Sequence, residues 1–105
     1  MKKYTFTIGL FDKDTEKQEI KTSLARTMLD HMLLESFGIF AYTCWECSGV
    51  YVMQSTGEII HEPSLRIEIA SDETIPAAEI VAGIKRLLNQ ETVMLDVSES
   101  NIQFI

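Results

Sequence analysis

An α+β sandwich is the fold class this sequence predicts, with two helices on one face of an antiparallel sheet, and three observations carry the prediction. Six periodic segments follow one another in the order β, α, β, β, α, β; the middle pair is joined by a tight Gly-containing turn; and no repeat, linker or low-complexity stretch interrupts them. That order is the ferredoxin-like one, which leaves one face of the sheet free for solvent, ligand or partner. The 105 residues are read as a single domain, 1–105, large enough to bury a core without disulfide or metal.

In residues 3–11, KYTFTIGLF, the residues Tyr4, Phe6, Ile8 and Leu10 alternate with Thr5 and Thr7, the pattern of a half-buried strand. Asp12 and Asp14 then suit a turn, and Thr15-x-x-Gln18 reads as a capping box opening a helix that runs to Phe37 and stops at Gly38. Ile20, Leu24, Met28 and Met32 form its expected apolar stripe. Residues 40–70 read as one long β-hairpin with Ser55-Thr56-Gly57 as a three-residue loop. Pro76 opens a second helix with Ile80, Ile84, Leu87 and Leu88 inward and its end near Asn89. Residues 92–97 give the last core strand, with Val93, Leu95 and Val97 inward, and the terminal NIQFI reads as a further short strand.

A three-residue loop pairs Gln54 with Glu58, so opposing hairpin positions sum to 112. Glu46 then faces Arg66, Trp45 faces Ile67 and Cys44 faces Glu68, with Trp45 and Cys47 on the core side. Glu46, Arg66 and Glu68 form the one charged cluster on the open face and are the candidate ligand-binding residues, weighed against an ordinary cross-strand salt-bridge network. At the hairpin tip the same register groups Tyr51 with His61 and Met53 with Ile59. Each arm is on the order of 40 Å long at about 3.3 Å per residue, and its tip is apolar on both sides, so something must cover it. Tyr51, Met53, Ile59 and His61 are therefore the candidate protein-interface residues, and a homodimer is the expected assembly; coverage by the chain's own first helix or its C-terminal NIQFI strand is the alternative, and an unidentified protein partner is a further possibility.

Cys44-x-x-Cys47 in a regular strand places its thiols on opposite faces, where they can neither form a disulfide nor share a metal; thioredoxin-like chemistry would need the motif at a helix N-terminus. A zinc site of Cys44, Cys47, His31 and His61 would require that strand to break. No catalytic triad, phosphate loop or metal-ligand spacing appears, so no catalytic residue, metal or cofactor is expected. The formal net charge of −7 with scattered basic residues disfavours nucleic acid, and no segment reaches the length of a membrane span. The N-terminus lacks the features of a signal peptide, which makes the cytoplasm the expected location.

The opening KYTFTIGLFDKDTEKQEI, Gly49-Val50-Tyr51, Gly57-Glu58-Ile59-Ile60 and Glu62-Pro63-Ser64 resemble a family of small ferredoxin-like proteins carried by bacterial phages and mobile elements. The resemblance spans most of the chain. Its motifs mark turns and strands, so it implies the fold and no activity. Cys-Trp-Glu-Cys is not part of that pattern and leaves room for a role of the thiols peculiar to this chain. The leading functional expectation is a non-enzymatic protein acting through association. The alternatives are a small-molecule-binding protein or minor enzyme with its site on the open sheet face, and an acidic inhibitor or decoy of a mobile element.

Overall fold

The computed structural model describes residues 1–105 and contains six elements: β1 (Lys2–Gly9), α1 (Thr22–Phe37), β2 (Thr43–Val52), β3 (Ile59–Ser71), α2 (Ala77–Leu87) and β4 (Met94–Glu99). The sheet order is β2-β3-β1-β4, antiparallel throughout, which is the ferredoxin-like arrangement. Alternation in β1 works as the sequence dictates. Tyr4, Phe6, Ile8 and, just past the strand, Leu10 are buried, and across the ladder Tyr4 meets Ile69, Phe6 meets Ile67 and Ile8 meets Leu65. Against this side pack Ala25, Leu29 and Leu33 of α1 and Ile80 and Ile84 of α2, with Leu88 just beyond it. Every member of this cluster is apolar or, for Tyr4, largely so, and its burial drives folding at little polar desolvation cost.

The helix termini refine the sequence reading. The capping-box expectation at Thr15 is corrected: α1 begins seven residues later, with Lys21 as its N-cap and no side-chain cap bond. Thr15 Oγ1 instead donates to Glu19, and Gln18 donates to Ile20 O and Thr22 Oγ1, so these residues serve the turn that precedes the helix. The buried stripe is Ala25, Leu29 and Leu33; Leu24 is exposed and Ile20, Met28 and Met32 flank the core. Gly38 ends α1 at φ 64°, a left-handed conformation that glycine adopts without strain, and the Gly38 and Ile39 amides donate to Leu34 O and Leu33 O.

The hairpin register also differs from expectation by one residue. Met53 N–H donates to Glu58 O and Gly57 N–H to Met53 O, so the loop has four residues, Gln54 to Gly57, with Gly57 at φ 72°. Opposed positions accordingly sum to 111, and a slip of one exchanges the faces of a whole strand. Cys44 faces Ile67 and packs against the core, whereas Trp45 faces Arg66 on the open side, with the guanidinium 5.9 Å from the ring centroid. The thiols do lie on opposite faces, with their sides exchanged. Burial pushes the Cys44 thiol above its ordinary value, against the partly offsetting charge of Arg26.

At the other edge Leu95 and Val97 point to the helix side, opposite Phe6 and Tyr4, yet stay part-exposed because the helices do not reach over β4. Residues 100–105 form no strand, contrary to expectation. The ladder ends where Ser100 N–H donates to Met1 O. No helix is long and apolar enough to cross a membrane.

Candidate functional site

Beyond Gly9, β1 no longer accompanies β3, and the stem of the hairpin projects from the sheet, with Ile59 to Glu62 paired to β2 alone. A cavity of about 490 Å³ opens at this end, between the hairpin stem, the turn after β1 and the connection from α2 to β4. The shifted register decides what the stem offers it. Tyr51, Met53, Ile60 and Glu62 come together on the cavity side, whereas Val50, Val52, Ile59 and His61 lie on the other.

Two chain turns are locked together to build the opposite wall. Asp12 Oδ1 accepts from the amides of Asp14 and Thr15, and Asp12 N–H donates to Lys17 O. Asn89, in the left-handed conformation at φ 49° after α2, sends its Nδ2 to Asp12 Oδ2 at 2.9 Å and to Asp14 Oδ2 at 2.8 Å, while its carbonyl accepts from Lys13 N–H. The Asn89 hydrogen bond, followed by the Asp14 amide, holds the Asp12 carboxyl below its ordinary value. This turn is therefore favoured while Asp12 is ionised, above about pH 4, and the contribution is lost as the pH falls through the lowered value.

Gln90 is 7% exposed and stands at the back of the cavity. Its Nε2 donates to Phe11 O at 2.8 Å and to Leu88 O at 3.2 Å. Carbonyls only accept, so the amide orientation is forced, and both hydrogens of the nitrogen are used. Its Oε1 has no protein donor, yet no buried side-chain oxygen lacks a partner; Oε1 is thus reachable from the cavity. Glu62 completes the wall: Phe11 N–H donates to its Oε2 at 2.8 Å.

The lining carries the carboxylates of Asp12, Glu16, Glu58, Glu62 and Glu91 against the single ammonium of Lys13. Phe11, Tyr51, Met53 and Ile60 supply the apolar surface. Flat apolar groups beside a dense negative field suit a ligand that is aromatic at one end and positively charged at the other.

Of the four residues expected at a protein interface, Tyr51 and Met53 line this cavity, and Ile59 and His61 do not. The charged trio is not assembled as expected. Glu46 falls on the helix side opposite Leu65, 4.0 Å from Arg26, while Arg66 and Glu68 remain on the open face beside Thr7 and Thr5. No group of three or more His, Cys, Asp or Glu side chains is arranged to hold a metal ion. Phe11 and Glu62 lie in stretches that mark turns and strands, and nothing in the sequence joins them to each other or to Gln90; Phe11 is 51 residues from Glu62 and 79 from Gln90.

No protein-family model matches the chain, and no curated protein matches it in sequence. Solved structures do share its fold. A phage SAM lyase in complex with S-methyl-5'-thioadenosine superposes with a TM-score of 0.64 at 17% identity, covering 93% of this chain and 80% of that one. The periplasmic divalent cation tolerance protein CutA from Archaeoglobus fulgidus gives 0.63 at 10% identity, covering 99% and 88%. A Bacillus subtilis GlnK–ATP complex gives 0.58 at 16%, covering 92% and 82%. At these identities the likeness is one of fold, and it agrees with the ferredoxin-like architecture of this chain.

Proposed function

We propose that this chain binds S-adenosylmethionine, a cationic adenosyl sulfonium, in the cavity between the hairpin stem and the turns at Asp12 and Gln90, and cleaves it to S-methyl-5'-thioadenosine. The observation that carries the reading is the charge of the cavity, five carboxylates against one lysine. Two of the fold neighbours are structures with adenosine compounds, one with S-methyl-5'-thioadenosine and one with ATP. The acidic lining favours the sulfonium from which the first compound is released and opposes the polyphosphate of the second. Gln90 Oε1 is an acceptor suited to the adenine amino group, and Phe11, Tyr51 and Met53 suit its ring. In the cleavage, the electrons of the bond between sulfur and the amino-acid chain pass to sulfur. The sulfonium becomes a neutral thioether as the ligand's own carboxylate oxygen bonds to the carbon that leaves sulfur, so the four-carbon remainder departs as a lactone that keeps its ammonium charge. Loss of the positive charge weakens the product's hold on the carboxylates and helps release it.

Titration calorimetry with S-adenosylmethionine and ATP, alongside chromatographic detection of S-methyl-5'-thioadenosine, tests the reading. The expected result is binding of the sulfonium at least about tenfold tighter than of ATP, with the thioether accumulating in step with protein concentration. Binding of ATP alone, or of neither compound, overturns it.

Self-association belongs to the same reading. Val50, Val52 and Ile59 are 60%, 52% and 61% exposed on the side of the hairpin away from the cavity, a continuous apolar strip on a stem supported by two strands only. A second copy of this chain is the proposed cover, which makes the association homo-oligomeric and keeps the cavity side open. In sedimentation equilibrium the wild-type chain is expected above its 11.9 kDa monomer mass, and Val52→Asp with Ile59→Asp is expected at that mass with its circular dichroism retained. A wild-type monomer removes this part of the proposal.

A further inference from the structure

Gly9 stands at the end of the central strand with an ordinary backbone: the glycines at positive φ are Gly38 and Gly57. Its conformation therefore asks for no glycine, and a glycine inside a strand costs conformational entropy and leaves nothing to pack. Its neighbours on the same face, Thr5 and Thr7, keep side chains. What occupies the missing side chain's place is a carboxylate. A Cβ on Gly9 would fall 2.4 Å from Glu62 Oε2, 2.6 Å from its Cδ and 2.7 Å from Oε1, inside van der Waals contact with all three atoms of the group. From that seat Oε2 also receives the Phe11 amide at 2.8 Å. The carboxylate is thus fixed by an empty space below and a hydrogen bond beside it, at the wall of the cavity.

We propose that Gly9 is a positioning residue that seats the Glu62 carboxylate for contact with a cationic ligand; the ligand part of this inference rests on the function proposed above. The atoms a Cβ would strike belong to the end of a flexible side chain, so Gly9→Ala moves the carboxylate and leaves the fold in place. The substitution separates positioning from stability.

A double-mutant cycle in S-adenosylmethionine binding reads the coupling. A charge-assisted contact corresponds to a loss of about 10- to 100-fold when its carboxylate is displaced. Gly9→Ala is expected to weaken binding by that factor in the wild-type background and by less than about threefold in the Glu62→Gln background, with the melting temperature nearly unchanged. Equal losses in the two backgrounds, or none in either, overturn the role. A measurement without ligand decides the seat itself. The Phe11 amide is expected to be protected from hydrogen exchange by its bond to the Glu62 carboxylate in the wild-type chain, to exchange at least about tenfold faster in Glu62→Ala, and to exchange equally fast in Gly9→Ala. A Phe11 amide that stays as protected in Gly9→Ala as in the wild-type chain sinks the inference. If the wild-type chain binds no S-adenosylmethionine while the Phe11 exchange behaves as expected, the proposed function fails and the seating of Glu62 by Gly9 stands.

Discussion

Phe6→Ala is expected to destabilise the folded chain by about 3–5 kcal/mol, the usual cost of truncating a buried aromatic residue. Phe6 is fully buried on the central strand, opposite Ile67 on one side and Leu95 on the other, and within the apolar cluster that joins the sheet to both helices. None of these neighbours can move to refill the space, because their strands are held in register by the ladder. Domains of this size have roughly 5–15 kcal/mol of stability, so the variant should lose a large share of it and melt roughly 15–30 °C lower. Phe40→Ala is the matched control. Phe40 is 83% exposed in the connection to the hairpin, and its replacement should stay within about 0.5 kcal/mol. Urea unfolding followed by circular dichroism measures both. A cost below about 1 kcal/mol for Phe6→Ala would contradict the close packing of this core.

The burial of Phe6 was legible in the sequence, because strand alternation is a strong and local signal. Tyr4, Phe6, Ile8 and Leu10 differ from Thr5 and Thr7 by the whole hydrophobic effect at each position. The hairpin register rested on weaker terms. Gly57 in the left-handed conformation fits a three-residue and a four-residue loop alike, and a Glu–Arg pair across exposed strands is worth under about 1 kcal/mol. The added loop residue, Gln54, exchanges the faces of Cys44, Trp45 and Glu46. It also divides the tip residues between two sides, moving Tyr51 and Met53 to the cavity with Glu62.

The site itself was nearly invisible in the sequence. Its parts are single residues at the ends of elements, Gly9, Phe11, Glu62 and Gln90, each of an ordinary type for its own segment. Only the fold brings them together, by placing the turn after β1 between the hairpin stem and the end of α2. The Asn89 amide, bonded to Asp12 and Asp14, then fixes that turn against α2.

Gln90→Met is expected to abolish the discrimination between S-methyl-5'-thioadenosine and its 6-oxo analogue, 5'-methylthioinosine. In the wild-type chain the Gln90 nitrogen is committed to Phe11 O and Leu88 O, so its oxygen can only accept. An amino group at the ligand's 6-position completes that oxygen's hydrogen bonding, whereas a carbonyl there sets oxygen against oxygen. A site that leaves a desolvated acceptor unpaired loses about 1–3 kcal/mol, so the wild-type protein should prefer the amino compound by roughly 5- to 150-fold. Methionine has similar length and no acceptor of comparable strength, and the preference should fall to within about threefold. The variant also frees two backbone carbonyls and should lose some stability. The ratio of the two affinities, measured on one sample by competition calorimetry, is insensitive to that loss. Equal binding of the two nucleosides by the wild-type chain would mean that Gln90 Oε1 does not face the ligand's base, and would move the adenine to another wall of the cavity.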